Sequence, residues 1–271
     1  MITIDKILSL LDDVLLFLAK KKRNALDNDD IWHIRLNWQT YKVQLRKELL
    51  SGQFVFSSCK VVEYKPGKYL HAFRTQDMLV LKALAMALNQ VLPKSLLCYS
   101  WKGHGGVTKA LKDIRNTSVN YFVKTDVSDY YASLCHFQIL QKLEPFVGCI
   151  QSRRLLYLAL KCREGGVGIP RGSPLSHVLG NFYLHDLDVT FEGRETQHYF
   201  RYMDDILLLS DKKGALRRGI KTVRQTFNVG RLDWAHHKSF IGTIGRHQTV
   251  FLGQRLFERG LNGDENLKGG K

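Results

Sequence analysis

The stretch His198–Ser210, which reads HYFRYMDDILLLS, decides the fold that we expect for this chain. Two adjacent aspartates, Asp204 and Asp205, stand between two runs of apolar and aromatic residues that are suited to burial. Neighbouring side chains of a strand face opposite sides, so both carboxylates reach one site only where the chain turns. The stretch therefore predicts a hairpin whose strands, Tyr199–Met203 and Ile206–Leu209, are joined at the two aspartates.

A third carboxylate is needed if this hairpin holds a metal ion. Magnesium takes further oxygen ligands from substrate phosphates and from other carboxylates, so two aspartates alone bind it poorly. Asp126 in FVKTDVSDYY is the candidate, because an apolar strand gives way to a turn there too, 78 residues before Asp204. Three carboxylates on two adjacent strand ends could hold two metal ions about 3.5–4 Å apart, as in nucleotidyl transfer. Taken alone, MDD also fits an exposed acidic turn.

The remaining sequence mixes helical and strand patterns. Apolar spacing predicts helices up to residue 50, the second of them over Trp32–Leu50, and β-rich runs on either side of Pro66-Gly67 predict a second hairpin. A helix is expected over Thr75–Leu92, and the glycine-rich EGGVGIPRGSPLS leads into another that we expect to reach about Val189. This mixture, without internal repeats, predicts an α+β fold.

Charge is distributed unevenly along the chain, whose formal net charge is +16. Residues 51–125 carry 11 basic and 3 acidic side chains, and residues 211–271 carry 13 and 5, so each segment has a net charge of +8. Residues 126–210 carry 8 basic and 10 acidic side chains, a net charge of −2. An acidic centre between basic segments is typical of a protein that holds cations centrally and nucleic-acid backbone on its flanks. A merely solvated basic surface is the alternative.

Two classes of protein are disfavoured. The five cysteines show no CxxC spacing, so we expect reduced thiols rather than a disulfide framework or a zinc site. No apolar run reaches the roughly 18 residues of a membrane span, and Asp12 and Asp13 interrupt the most apolar early stretch. We therefore expect a cytoplasmic protein without a membrane partner.

Several ordered motifs carry a resemblance to a known family. YMDD (Tyr202–Asp205) resembles the signature hairpin of reverse transcriptases, specifically the bacterial retroelement branch of group II intron, retron and diversity-generating enzymes. DVSDYY resembles the first catalytic motif, and GIPRGSPLSHVLGNFYL (Gly168–Leu184) resembles the glycine-turn-helix motif of that family. SWKGHGG, HHKSFIG and FLG are similar to its preceding loop, lysine segment and primer grip. The matches run in order from about residue 45 to 260.

The resemblance implies a right-hand polymerase with palm, fingers and an antiparallel palm sheet. It implies two Mg²⁺ ions, with Mn²⁺ as a substitute, on the Asp126, Asp204 and Asp205 carboxylates and the Val127 carbonyl. It further implies that Lys238 protonates pyrophosphate and that Tyr131 lies beneath the incoming sugar. The remaining residues implied in nucleotide or template binding are Arg171, Gly172, Asn181, Lys65, Lys68 and Arg74.

The resemblance also suggests a division of the chain. The expected parts are a helical segment (1–50), fingers (51–125), palm with interleaved fingers helices (126–250), and primer-grip strands with a short tail (251–271). Because few residues follow FLG, we expect a thumb that is short or absent, with a partner protein or a structured RNA in its place.

The function implied is RNA-directed DNA polymerase activity, in a protein encoded by a bacterium or a phage. Its partners would be an RNA template, a DNA or RNA primer, and deoxynucleoside triphosphates. One alternative is a template-independent polymerase of phage defence, which Arg171 would suit because the family usually has glutamine there. Another is a catalytically silent nucleic-acid-binding subunit, although three adjacent carboxylates would destabilise a site that never binds metal.

Overall fold

The computed structural model describes residues 1–161 and 165–257, and leaves the side chain of Lys68 undescribed. Cys162 and the tail 258–271 lie outside the described residues. The helices are α1 (Ile4–Ser9), α2 (Leu11–Lys21), α3 (Asp30–Leu36), α4 (Trp38–Ser51), α5 (Thr75–Val91), α6 (Gly106–Arg115), α7 (Tyr130–Ser133), α8 (His136–Leu143), α9 (Ile150–Lys161), α10 (Pro174–Tyr183), α11 (His185–Phe191) and α12 (Lys213–Val229). The strands are β1 (Lys60–Lys65), β2 (Lys68–Ala72), β3 (Tyr121–Thr125), β4 (His198–Tyr202), β5 (Asp205–Ser210), β6 (Phe240–Thr243), β7 (Thr249–Phe251) and β8 (Gln254–Leu256).

The chain divides into two compact units. The first, which we call the helical unit, comprises Met1–Pro93 and Asp129–Tyr183. Its centre is α5, whose buried residues include Leu81, Leu84 and Leu88, and α1, α2, α3 and α10 pack around it. The helical unit also contains the antiparallel hairpin β1–β2, in which Lys60 pairs with Ala72 and Lys65 with Lys68.

The second unit, which we call the sheet unit, comprises Lys94–Ser128 and the chain from Leu184 onward. Its four-stranded sheet has the order β4-β5-β3-β6, and every neighbouring pair is antiparallel. A separate hairpin joins β7 and β8. The antiparallel sheet and the α+β class predicted from the sequence are thus observed.

Strand β5 is buried on both of its faces, which explains its continuous apolar sequence. Leu207 and Leu209 pack in a core with Phe122 of β3, Phe200 of β4 and residues of α6. Helix α12 packs against β3 and β5 on the opposite face, where a Cβ added at Gly219 would lie 3.3 Å from Leu208. The buried residues of α12 recur at helical spacing: Ala215, Leu216, Gly219, Val223 and Phe227.

Two predicted helices are each interrupted once. The helix expected over Trp32–Leu50 divides at Asn37, whose backbone N–H (3.1 Å) and side chain (3.0 Å) both donate to the His33 carbonyl. The helix expected to continue to Val189 ends at Tyr183, whose carbonyl accepts a hydrogen bond from Lys142 Nζ (3.1 Å). In both places a side chain donates to a carbonyl of the last helical turn.

Two expected absences concern only the described part of the chain. No disulfide joins the four cysteines that lie in it, Cys59, Cys98, Cys135 and Cys149. Across residues 1–161 and 165–257, every helix is too short or too polar to cross a membrane.

Candidate active site

The two adjacent aspartates lie at the tip of the β4–β5 hairpin, but the turn lies one residue earlier in the chain than predicted. Tyr202 pairs with Asp205, so Met203 and Asp204 form the turn and Asp205 begins β5. The sequence prediction, which put both aspartates in the turn and Met203 in a strand, was wrong by this one residue. The physical reason is the φ of +57° at Met203, which lets the chain reverse before Asp204.

Asp126 follows the last residue of β3, the strand that pairs with β5. Thr125 pairs with Ile206, so continuation of the register places Asp126 opposite Asp205. Asp126 is 5% exposed, and its carboxyl and that of Asp204 lie close enough to share a proton. The structure therefore brings the three predicted carboxylates together on adjacent strand ends.

This crowding disfavours the ionised forms of the hairpin carboxyls. The pKa of Asp204 is raised to about 7, first by burial and then by the shared hydrogen bond with Asp126 and the Asp126 charge. Burial and the charge of Asp126 also raise the pKa of Asp205, against the opposing charges of Lys124 and Lys238. The site holds more negative charge than its own cations neutralise.

Lys238 is part of the same cluster. Its ammonium group forms an ion pair with Asp126 Oδ2, and this hydrogen bond is the main reason why the pKa of Lys238 is raised. The lysine side chain is 50% exposed, whereas that of Asp126 is 7% exposed. Its segment is tied to β3 by a hydrogen bond from Ala235 N–H to the Asp126 carbonyl (3.0 Å).

The donor set fits a hard divalent cation. The buried Asp126 Oδ1 accepts no hydrogen bond from any donor in the described residues. Val127 forms an isolated antiparallel bridge with Trp234, flanked by hydrogen bonds from Ser128 and Ala235. In such a pair the carbonyl of Val127 points away from Trp234, toward the β5 side of β3. Carboxylate and carbonyl oxygens are the ligand type that a hard cation takes, and their assignment as metal ligands stays a prediction.

The cluster is not arranged as a finished metal site. Among the described residues, no group of three or more His, Cys, Asp and Glu side chains has the spacing of metal ligands. The Lys238 ammonium instead takes up one oxygen of Asp126. A cation that took Asp126 Oδ2 as well as Oδ1 would have to displace Lys238.

A buried ion pair that the sequence analysis missed lies behind the hairpin. Arg201 on β4 and Asp188 on α11 are both fully buried, and Arg201 Nε donates to Asp188 Oδ1 (2.6 Å). Tyr199 Oη donates to the same carboxylate (3.0 Å). The available signal was an arginine inside the apolar run YFRY, because a buried guanidinium requires a carboxylate partner. The sequence did not reveal which acidic residue that partner was.

Both backbone polar groups of Met203, which lies in the turn, form hydrogen bonds with other residues. Its carbonyl accepts a hydrogen bond from Arg201 Nη1 (2.7 Å), and its N–H donates to Ser100 Oγ (3.1 Å). Ser100 belongs to SWKGHGG, a segment to which the sequence analysis gave no residue-level role. The chain just before it pairs with β4, because Tyr99 N–H donates to the Arg201 carbonyl (2.8 Å).

The residues predicted to bind nucleotide or template lie in the helical unit. Gly172 has a φ of +102°, and a Cβ there would lie 2.8 Å from the His71 carbonyl oxygen. The carbonyl of the neighbouring Arg171 accepts a hydrogen bond from His71 N–H (2.7 Å), so this glycine turn is fixed against β2. Arg171 is half-buried. The close approach that glycine permits here is to the backbone of β2, and nucleotide or template binding by Arg171 and Gly172 stays a prediction.

Tyr131 and Asn181 lie near the same glycine-rich loop. The Tyr131 carbonyl accepts a hydrogen bond from Ile169 N–H (2.7 Å), and its half-buried ring packs against that of Tyr130 (5.7 Å between centroids). Tyr130 Oη in turn donates to the Gly180 carbonyl (2.5 Å) on α10. Asn181, the next residue of that helix, is fully buried.

The three predicted basic residues are not gathered at one place. Lys65 and Lys68 flank the turn of the β1–β2 hairpin. Lys68 is three residues from His71 on β2, or about 10 Å along the strand. Arg74 is exposed and occupies the N-cap position of α5 without a capping hydrogen bond from its side chain. Hydrogen bonds connect the loop that contains Arg171 and Gly172 to Tyr131 and to β2.

Comparison with known proteins gives a family match over most of the chain. A family model described as reverse transcriptase (RNA-dependent DNA polymerase) matches residues 65–256. This range contains the three carboxylates and Lys238. No curated protein sequence matches significantly.

Several solved structures are similar to this chain at low sequence identity. Apo telomerase from Candida tropicalis is 11% identical with a TM-score of 0.51, over 76% of this chain and 48% of that one. The Candida tropicalis telomerase in complex with the TWJ fragment of telomeric RNA is 11% identical with a TM-score of 0.50, over 86% and 50%. A partial Cas6-RT-Cas1–Cas2 complex is 19% identical with a TM-score of 0.45, over 84% and 43%. The chain thus spans about half the length of these proteins.

Proposed function

Because the chain belongs to the reverse transcriptase family, we propose that it extends a DNA or RNA primer on an RNA template by transfer of deoxynucleotides. The observation that carries this proposal is the convergence of Asp126, Asp204 and Asp205 at adjacent strand ends inside the matched region. A raised carboxyl pKa in a partly buried cluster is typical of a functional site. The proposal retains an enzyme rather than a silent subunit, because uncompensated carboxylates destabilise a purely structural site.

We propose that the three aspartates, with the Val127 carbonyl, hold two Mg²⁺ ions. Bound metal would supply Lewis acidity for a 3′-hydroxyl nucleophile and charge neutralisation for the leaving pyrophosphate. The unsatisfied Asp126 Oδ1 and the side of β3 on which the Val127 carbonyl lies support this assignment.

Lys238 would act on the leaving group in this proposal. Its raised pKa keeps a proton on Nζ at neutral pH, and its half-exposed side chain can swing away from Asp126. A lysine that is charged and mobile at the edge of the carboxylate cluster can donate this proton to a departing pyrophosphate oxygen.

The helical unit would contribute nucleotide and template binding. We assign Tyr131 to the sugar and the fixed turn Arg171–Gly172 to the template or base, with Asn181 supporting that turn from α10. The basic residues Lys65, Lys68 and Arg74 would contact triphosphate or template backbone. The ranges 51–125 and 126–250, predicted as fingers and palm, stay predictions.

The biological setting forms part of the same proposal. The ordered motifs favour a bacterial retroelement type of enzyme, cytoplasmic and encoded by a bacterium or a phage. A solved structure of similar fold, a Candida tropicalis telomerase, is in complex with a fragment of telomeric RNA, as its name states. We propose an RNA template and a partner protein or a structured RNA.

The test is extension of a labelled DNA primer on an RNA template, with Mg²⁺ and then Mn²⁺. Wild type should give template-directed product, and Asp204→Asn should lower the rate by at least about 10²-fold because a metal ligand is lost. Asp211→Asn is the matched control, since this exposed aspartate at the far end of β5 should leave extension unchanged.

The other outcomes discriminate between the alternatives. If wild type added nucleotides without a template, the proposal of templated synthesis would be wrong and the template-independent polymerase would be favoured. Tight, salt-sensitive RNA binding without incorporation, even with candidate partners added, would identify a binding subunit and overturn the proposal.

A further inference from the structure

The Met203 turn is strained, yet it determines where Asp204 stands. A residue with a side chain disfavours a φ of +57° relative to right-handed backbone, so other contacts must hold the turn. The holding contacts are two hydrogen bonds, from Met203 N–H to Ser100 Oγ and from Arg201 Nη1 to the Met203 carbonyl.

The Asp188–Arg201 pair is unusual for a purely structural element. Both side chains are fully buried, and Arg201 is among the largest fully buried residues. Replacing such a pair by well-packed apolar residues is often neutral or stabilising, because desolvation offsets the attraction between the charges. An apolar pair would fill the same space, but it could not donate to the carbonyl of the turn.

We propose that Asp188, Arg201 and Ser100 are positioning residues that fix the Met203 turn and thereby place the Asp204 carboxylate for catalysis. Asp188 orients the guanidinium through two of its nitrogens, which leaves Nη1 directed at Met203. Ser100 closes the turn from the other side. None of the three contacts a reacting group.

The inference rests on the proposed function, since it concerns the placement of a residue that we assign to metal binding. Two variants test it. Ser100→Ala removes the acceptor for the Met203 N–H, and the double variant Asp188→Leu/Arg201→Met replaces the ion pair by apolar side chains. Ser210→Ala is the matched control, because Ser210 is a fully buried, hydrogen-bonded serine at the opposite end of β5.

Two readouts separate positioning from folding. The first is hydrogen–deuterium exchange of the peptide 198–210, which needs neither metal nor activity. Exchange at the turn should be about two- to tenfold faster in Ser100→Ala, the factor that one hydrogen bond is worth. The second is primer extension, in which kcat should fall by about 10–100-fold, with KM for nucleotide changed little, because misplacement affects the reacting geometry.

The double variant should keep its thermal transition within about 5 °C of wild type while showing the same faster exchange and lower kcat. If it fails to fold, Ser100→Ala still decides the matter. Normal exchange at the turn and normal kcat in a folded variant would overturn the inference. Faster exchange in the variants, combined with a wild type that does not incorporate nucleotides, would instead retain the positioning network and overturn the proposed function.

Discussion

At the scale of single residues, Asp204 couples the stability of the protein to pH. Its pKa lies at about 7 in the folded protein, against an ordinary value of 3.8. Between these values the folded state binds more protons than the unfolded state, so the free energy of unfolding falls as pH rises from about 4 to about 7. We expect metal-free wild type to be less stable at pH 8 than at pH 5.5, and Asp204→Asn to reduce this difference.

The measurement is urea unfolding at both pH values with a chelator present. Asp211→Asn serves as the control, because an exposed aspartate should leave the pH dependence as it is in wild type. If the free energy of unfolding changed equally between the two pH values in wild type and Asp204→Asn, Asp204 would have an ordinary pKa in the folded protein.

Lys238 provides a second prediction at this scale. Its ammonium competes with any cation for Asp126 Oδ2, so Lys238→Ala should bind Mn²⁺ more tightly in the absence of substrate. The same variant should lose about 10²-fold in single-turnover rate, because a general acid is removed. Binding is followed by water-proton relaxation, and Lys213→Ala, near Tyr121 at the other end of β3, is the control. Weaker Mn²⁺ binding would contradict the proposed competition.

The sequence was informative about these residues to different degrees. Asp126 and Asp204 were predictable because each carboxylate interrupts an apolar strand, and a charge there needs a reason. The ion pair of Lys238 was not predictable, because the segment 236–238 has no pattern that fixes its side chains. Ser100 was missed because a serine in a glycine-bearing loop has no distinctive signal, and its partner is 103 residues away.

At the scale of elements, the β4–β5 turn allows a test of backbone strain. Glycine adopts the φ of Met203 freely, whereas a β-branched residue is strained there. We expect Met203→Gly to be more stable than Met203→Val by about 2 kcal/mol. Urea unfolding measures the difference, and equal stabilities would mean that the turn can adopt another conformation without loss.

The glycine turn of the helical unit gives a matched pair of substitutions. Gly172→Ala combines a φ of +102° with a Cβ only 2.8 Å from the His71 carbonyl, whereas Gly165, with a φ of +91°, has open space around it. Both substitutions strain the backbone, and only the first also clashes. Gly172→Ala should therefore destabilise by at least about 1 kcal/mol more than Gly165→Ala in urea unfolding. Equal losses of stability in the two variants would indicate that β2 shifts to accommodate the added methyl group at little cost.

Elements were predicted well where a periodic pattern was long. Helix α5 was expected over Thr75–Leu92 and is observed over Thr75–Val91, because its apolar face is continuous. The breaks at Asn37 and after Tyr183 were missed, since the apolar pattern does not record the side chains that donate to helical carbonyls there. The one-residue error in the predicted position of the β4–β5 turn has a similar origin. Two hydrogen bonds, with Arg201 and Ser100, stabilise a backbone conformation at Met203 that methionine does not prefer.

At the scale of the whole molecule, charge and family membership point in the same direction. The acidic segment 126–210 contains the carboxylate cluster, and the strongly basic segments flank it in sequence. A polymerase of this family must hold a polyanion and also concentrate negative charge where metal ions act. In the proposed function, the carboxylates at adjacent strand ends would hold the metal ions, and the net charge of +16 would attract nucleic acid.

This distribution predicts strongly salt-dependent RNA binding. On single-stranded RNA, six to ten phosphate contacts would lower affinity by about 300-fold to 10⁴-fold between 50 and 200 mM salt. Lys60 and Lys65 lie on β1, which is exposed along its whole length in a segment of net charge +8. The variant Lys60→Gln/Lys65→Gln should therefore weaken binding at low salt and reduce the slope of log K against log salt by about 0.7 per lost contact on single-stranded RNA.

Lys20→Gln/Lys21→Gln is the matched control for the hairpin variant. It removes the same charge from α2, in a segment whose net charge is only +2. Fluorescence anisotropy of a labelled single-stranded RNA over a salt series gives both slopes. If net charge alone attracted RNA, the two double variants would shift the slope equally. A change confined to the β1 variant would instead identify the β1–β2 hairpin as a specific phosphate-binding element, because counterions are released only where the backbone is contacted.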